Sequence, residues 1–380
     1  MAATCVTSIP IAQPVVSAET VSSLQTEAGA VSERTRQALL VVAGLTKKNL
    51  HPRVWDPASP YYLSQLRAVM ISYADFHRRR SWREAAMAVG LRAYLGVPEG
   101  VQIFLDNGAF ALLNGGTPPP VGVYEAFVSK ARPDWYPIPL DYIPTPAMDG
   151  GTQRLYFEQT MEMNRNYAHD GFVPVAHVGP YLEQFVQALS AEPQLASKRS
   201  VALGGMVPNL LRRSQARPYG EVLGALRHMR AAFGERKVHV FGMGGTATLH
   251  LAALLGIDSV DSSGWRNRAA RGLIQLPGAG DRIVAQLGSW RGRHLSPDEA
   301  TILDRCGCPP CQEFGGESIR AKGLPGASHR ATHNLWVLLQ EARLVEEHLQ
   351  GGTYARWYRD HLDNTIYGRL IEHIVVNGSA

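Results

Sequence analysis

From residue 67 onward, short apolar runs and amphipathic stretches take turns along the chain. Arg67–Tyr73 reads as a buried strand, Trp82–Leu95 as an amphipathic helix, and Val101–Leu105 as a second strand ending in Asp106. The alternation continues with a helix over Val123–Ala131, a strand over Trp135–Leu140 ending in Asp141, and a long helix over Gly151–His169. A strand over Phe172–Ala176 then runs into His177, a helix covers Tyr181–Ser190, and Ser200–Leu203 is a strand running into Gly204 and Gly205. A helix over Tyr219–Phe233 leads to the strand Lys237–Phe241, which runs into Gly242–Gly245, and Thr246–Leu255 is helical again. Ser259–Val260 is the strand of Asp261, and Leu273–Leu276 supplies an eighth strand. Strand and helix alternate about eight times, which predicts an α/β fold of the (β/α)8, or TIM, barrel type over an open sheet.

The flanks are less periodic. Residues 1–35 are rich in Ala, Ser, Thr and Val, with Pro10 and Pro14 among them, and read as a loose extension. Glu33–Leu45 is expected to form a short helix. The chain therefore divides into a lead-in over residues 1–60, a catalytic barrel over 61–295, and a metal module with C-terminal helices over 296–380.

Composition bounds the rest. The 380 residues are 45% hydrophobic and 19% charged, as in a soluble globular protein. No apolar run is long enough to cross a bilayer and the N-terminus lacks a secretory pattern, so a cytoplasmic protein without membrane contact is expected. The net charge of +5, carried mostly by arginine, favours a phosphate-bearing partner.

Chemistry-bearing residues gather where the strands end. Asp106, Asp141, His177, Gly205, Gly242 and Asp261 all fall at the C-terminal ends of successive strands, the rim on which barrels build their sites. Arg266, Arg268 and Arg271 follow Asp261 and supply positive charge for a nucleic-acid backbone. Beyond the barrel, Cys306, Cys308 and Cys311 offer three thiolates within six residues, and His333 closes a tetrahedral site. His329 competes for that place, and His333 is preferred because it opens an amphipathic stretch. A closed Cys3His set is the donor pattern of structural zinc.

These residues resemble the tRNA-guanine transglycosylases over about Val101 to Val345. The resemblance rests on LDNGAF (Leu105–Phe110), PLDY (Pro139–Tyr142), ALGGM (Ala202–Met206), FGMGG (Phe241–Gly245), GIDSVD followed by RNRAARG, the CxCxxC and HNL (His333–Leu335). It implies a zinc-carrying barrel that exchanges guanine for a 7-deazaguanine base. It further implies that Asp261 is the nucleophile and Asp106 the general acid/base. Asp141 would read the base, with His177, Gly204, Gly205, Met243 and Phe110 around it. The chain departs from the tRNA enzymes in four places. His177 stands where they have glutamine, Ser262–Arg266 replaces their cysteine and PTR motif, the interval from Cys311 to His333 is shorter, and the region before Val101 does not match. That pattern looks more like the divergent DpdA-type branch, which inserts bases such as preQ0 into DNA. DNA is accordingly expected over tRNA as the polymer, with a helper protein of the same modification system as a further partner. The alternatives are the same exchange on tRNA, or a catalytically idle, zinc-bearing nucleic-acid-binding subunit.

Overall fold

The computed structural model describes residues 38–47, 50–110, 120–167, 171–206, 217–288, 292–362 and 365–377. The extension read over residues 1–35 lies outside them. Seven strands form one parallel sheet: β1 (Leu40–Gly44), β2 (Ala68–Ser72), β3 (Gln102–Asp106), β4 (Val175–His177), β5 (Ser200–Gly204), β6 (Lys237–Val240) and β7 (Ser259–Ser262). Their spatial order is β3-β2-β1-β7-β6-β5-β4. The place between β3 and β4 is taken by residues 134–138, expected from the sequence as a regular strand. Leu105 N–H donates to the Trp135 carbonyl at 2.8 Å, and Ile138 N–H donates to that of Val173 at 3.1 Å. Only isolated bridges form here, because Pro137 and its neighbours Pro133 and Pro139 bring no N–H to a ladder. The Tyr124 hydroxyl, donating to the Pro137 carbonyl at 3.1 Å, supports the segment instead.

Two elements depart from the sequence expectation. Residues 40–44 are a strand and not the end of a helix, and β1 sits between β2 and β7, within the stretch read as lead-in. Its run of Leu, Val, Val and Ala is buried almost throughout, as a parallel strand covered on both faces must be. A short apolar run of that kind has no period that separates helix from strand. The expected eighth strand, in turn, is not part of the barrel. Leu273–Gln275 (β8) pairs antiparallel with Asp281–Ile283 (β9), which carries the two-residue β10 (Arg293–His294) in a separate three-stranded sheet.

Inward-facing Val42, Ala68, Met70 and Phe104 fill the barrel, with Leu40, Trp135 and Phe241 packed against them. The outward faces of the strands join the helices in the main core. A single helix, Gly323–Gln350, fastens the C-terminal part to the barrel at three levels. Fully buried Arg330 donates to the carbonyls of Ala269, Ile319 and Ala321 at 2.8–2.9 Å. One turn on, Asn334 accepts from Gln275 N–H at 2.7 Å and donates to the Trp265 and Leu273 carbonyls. Two turns further, buried Glu341 meets His250 Nε2 at 2.8 Å, His361 Nε2 at 2.7 Å and the Gly278 N–H at 3.1 Å.

Candidate active site and metal centre

Parallel pairing brings the strand ends to one rim, and three carboxylates meet there. Ser72 of β2 lies in register with Asp106 of β3, and its hydroxyl hydrogen-bonds the Asp106 carboxyl, as does the N–H of Gly108. Burial nevertheless pushes Asp106 up from 3.8 to about 6; the hydrogen bonds oppose the rise and the negative charges of Asp141 and Asp261 add to it. A carboxyl at about 6 holds or releases a proton near neutrality.

Asp141 is 6% exposed, and its position is set by a residue that entered the sequence reading only as a member of the LDNGAF run. Buried Asn107 donates from Nδ2 to Asp141 Oδ1 at 2.7 Å and to the Ile138 carbonyl at 2.9 Å, while its Oδ1 accepts from Ala109 N–H. The other Asp141 oxygen stands 2.9 Å from His177 Nε2, both side chains almost wholly buried. The His177 ring lies flat against β5. A Cβ at Gly204 would come within 2.7 Å of its Cε1 and Nδ1, so only glycine admits the ring, and Gly205 follows at the same turn. Beside His177, a small hollow is walled by Tyr142, Phe157, Tyr181 and Phe185.

Asp261 sits on β7, its side chain 15% exposed. Its Oδ1 accepts from the Gly242 N–H at 2.7 Å, a bond that depends on the positive φ of 74° at Gly242, which turns that N–H toward the neighbouring strand. Phe110 is 45% exposed just past β3. Met243, in the turn after β6, is 1% exposed and packs with the main core. Phe241, two residues earlier, packs with the barrel interior instead, beside Trp135 and His239.

The three arginines after Asp261 are engaged unequally. Arg268 Nε donates to Asp281 at 2.7 Å. Arg266 donates to the His51 carbonyl at 3.1 Å and lies over the Trp265 ring, and burial lowers it to about 10. Arg271, which caps the helix Gly264–Ala270, is exposed.

The metal-ligand candidates converge as expected. Cys306, Cys308, Cys311 and His333 are all buried, with their ligand atoms within 4.8 Å of one another. His333 Nδ1 lies 3.3 Å from Cys306 Sγ and 3.7 Å from the other two sulfurs, while its Nε2 is held 2.9 Å from the Gln275 carbonyl. An outer hydrogen bond of this kind fixes the tautomer that presents Nδ1 to a metal. His329 stays outside the set, its Nε2 3.2 Å from Cys311 Sγ and its Nδ1 against the Ser318 hydroxyl. Hydrogen bonds from Cys308 and Cys311 pull the Cys306 thiol down, and the bonds to Cys306 push the other two up, Cys311 to about 12. Only a divalent cation lets three such thiols ionise together, so the donor set fits structural zinc. The His250–Glu341–His361 group also gathers ligand-type atoms. Its N···O separations of 2.8 and 2.7 Å are those of hydrogen bonds, whereas two ligands on one tetrahedral zinc stand roughly 3.3 Å apart.

A family model described as queuine tRNA-ribosyltransferase matches residues 154–365, more than half of the chain, from the helix after Asp141 to beyond His333. The chain belongs to that family. Among individual relatives, the tRNA-guanine(15) transglycosylase of Methanosarcina acetivorans is 27% identical over 290 residues, 73% of this chain and 53% of that protein. The enzyme of the same name from Pyrococcus abyssi is 25% identical over 183 residues, 45% of this chain and 27% of that protein. The chain thus spans between about a quarter and about a half of the length of these transglycosylases. Within the family's matched span fall Asp261, His177, the glycine turns and all four metal-ligand candidates; Asp106 and Asp141 precede it. Among the described residues, no helix is long and apolar enough to cross a membrane.

Proposed function

We propose that this protein exchanges guanine in a nucleic acid for a 7-deazaguanine base through a covalent intermediate on Asp261. The observation that carries the reading is the trio of rim carboxylates, with Asp106 pushed up to about 6 beside Asp141 and Asp261. One carboxyl that titrates near neutrality and a second carboxylate whose Oδ1 is anchored by a backbone N–H are the pair that retaining glycosyl transfer requires. Asp261 Oδ2 attacks C1′ of the target nucleoside as the C1′–N9 bond breaks. The electron pair of that bond leaves with guanine, and Asp106 gives the departing base its proton. Ionised Asp106 then takes the N9 proton of the incoming base, whose nitrogen forms the new bond to C1′ as the ester breaks and Asp261 regains its charge. The bond energy is kept in the ester, so exchange needs no nucleotide cofactor. Asp141, fixed by Asn107 and His177, accepts from the N–H edge of the extruded base, with Phe110 at the entrance.

DNA is the polymer we favour, because the departures at His177 and Ser262–Arg266 fall on recognition while the acids remain. Exposed Arg271, with Arg268 after release from Asp281, would hold the phosphates. The tRNA reading is carried by the names of the relatives. Zinc on Cys306, Cys308, Cys311 and His333 would supply structure alone, tying the Cys306–Cys311 segment to the helix of His333.

The deciding experiment follows labelled guanine and labelled preQ0 into plasmid DNA and unmodified tRNA, with Asp261→Asn as the blank. Label in DNA that depends on Asp261 is the expected result. Label in tRNA alone assigns the protein to tRNA, and label in neither refutes exchange by this chain.

A further inference from the structure

Below Asp261 lies a titratable side chain that the exchange reading leaves unused. His239 of β6 pairs in register with Ser259 of β7, and Asp261 is two residues further along the same face. The imidazole is 2% exposed and sits among the rings of Trp135, Phe241 and Phe104 at centroid distances of 4.9, 4.8 and 5.7 Å. Its Nδ1 lies 2.9 Å from the Ser259 hydroxyl. Its Nε2 has no hydrogen-bond partner and stands 3.6 Å from Asp261 Oδ1, the oxygen that also takes the Gly242 N–H. Both contacts are attractive when a ring proton is on Nε2, facing the carboxylate, with the Ser259 hydroxyl donating to Nδ1 or, in the imidazolium, accepting from it.

We propose that His239 is a positioning residue for the nucleophile, an inference that rests on the exchange reading above. Together with the Gly242 N–H it holds Oδ1, so that Oδ2 is the oxygen that attacks. At 3.6 Å the resting contact is longer than a hydrogen bond, and it closes when the carboxylate turns onto C1′, as such contacts tighten in reacting complexes. The two half-reactions feel this donor in opposite ways. Forming the ester consumes the charge on Asp261, so a donor on Oδ1 favours the free carboxylate. Breaking the ester restores that charge, and the same donor stabilises it as it develops. His239 therefore serves ester breakdown above all.

The test is single-turnover kinetics on the polymer that wild type labels, trapping the covalent adduct on denaturing gels and chasing it with free guanine. His239→Phe keeps the ring and loses the donor, while His239→Gln returns an N–H near the position of Nε2. In His239→Phe, adduct breakdown is expected to slow about 10-fold or more relative to its formation, so adduct accumulates, and His239→Gln recovers much of the wild-type partition. A purely structural histidine would lower the melting temperature without changing that partition. Wild-type partition in His239→Phe, or a glutamine variant as impaired as the phenylalanine one, overturns the proposal. Should His239→Phe not fold, Ser259→Ala decides, since freeing Nδ1 is expected to slow breakdown several-fold and an unchanged partition there overturns the idea. Absence of any adduct in wild type would instead remove the covalent reading, and this inference with it.

Discussion

Asp106→Asn is expected to inactivate the protein and to stabilise it. The carboxyl at the end of β3 rises from 3.8 to about 6 on folding, which corresponds to about 3 kcal/mol against the ionised form in the native state. Because the native carboxyl holds its proton to higher pH than the unfolded one, this group costs nothing below about pH 4. Its cost grows as pH rises from about 4 to about 6 and is constant above that. An asparagine carries no charge to desolvate. It has one acceptor oxygen where the carboxylate has two, so Oδ1 keeps the Gly108 N–H while the Ser72 hydroxyl must turn to accept from Nδ2, a rearrangement costing about 1 kcal/mol. The net gain at pH 8 is about 2 kcal/mol, a melting temperature about 2–3 °C above wild type for a chain of this size. Thermal unfolding of both proteins from pH 4 to pH 8 measures it. The gain should vanish at pH 4. An asparagine variant no more stable than wild type at pH 8, or equally stabilised at both ends of the range, would refute the burial argument and with it the acid/base assignment.

Two other features make separate demands. Cys308→Ser should reduce bound zinc from one ion per chain to a small fraction by elemental analysis and lower the melting temperature by at least about 5 °C, because the metal joins the Cys306–Cys311 segment to the long helix; a metal-free variant of wild-type stability would show that the centre does not hold the fold. Acid should loosen the helix Tyr354–His361 before the barrel. Burial alone would raise Glu341, but the hydrogen bonds of His250 and His361 outweigh it and hold the carboxyl at about 2, so its contribution is present above 4.5 and lost as pH falls toward 2. Burial lowers His250, so its contribution also declines as pH drops below 6.5. Amide protection in residues 354–361, taken relative to the intrinsic exchange rate at each pH, should therefore fall between pH 6 and pH 3 in wild type and be low throughout in Glu341→Gln; wild-type protection in that variant would contradict the account.

The barrel rim was readable before any coordinates because each strand of a parallel α/β unit delivers its last residue to the same end, and Asp106, Asp141, His177 and Asp261 all terminate apolar runs. The cysteines were readable because their spacing has few other uses. What escaped the sequence has local reasons. The strand at residues 40–44 is too short and too uniformly apolar to declare its period, and the prolines around residues 133–139 suppress the ladder that Trp135–Leu140 suggested. His239 looked like one polar residue inside a strand, and Asn107 like one member of the LDNGAF run. Their partners lie on neighbouring elements that the linear order does not place side by side.

The seam between β1 and β7 has a consequence for how the chain is made. Leu40 finds its partner Ser259 more than two hundred positions later, so during synthesis the first strand waits on the ribosome with one side unclaimed until nearly the whole barrel has emerged. Through that interval an apolar strand presents bare N–H and C=O groups to any other nascent chain. A truncation anywhere before residue 259 would make the wait permanent. The first five residues of the sheet thus tie the solubility of the product to complete translation of the barrel.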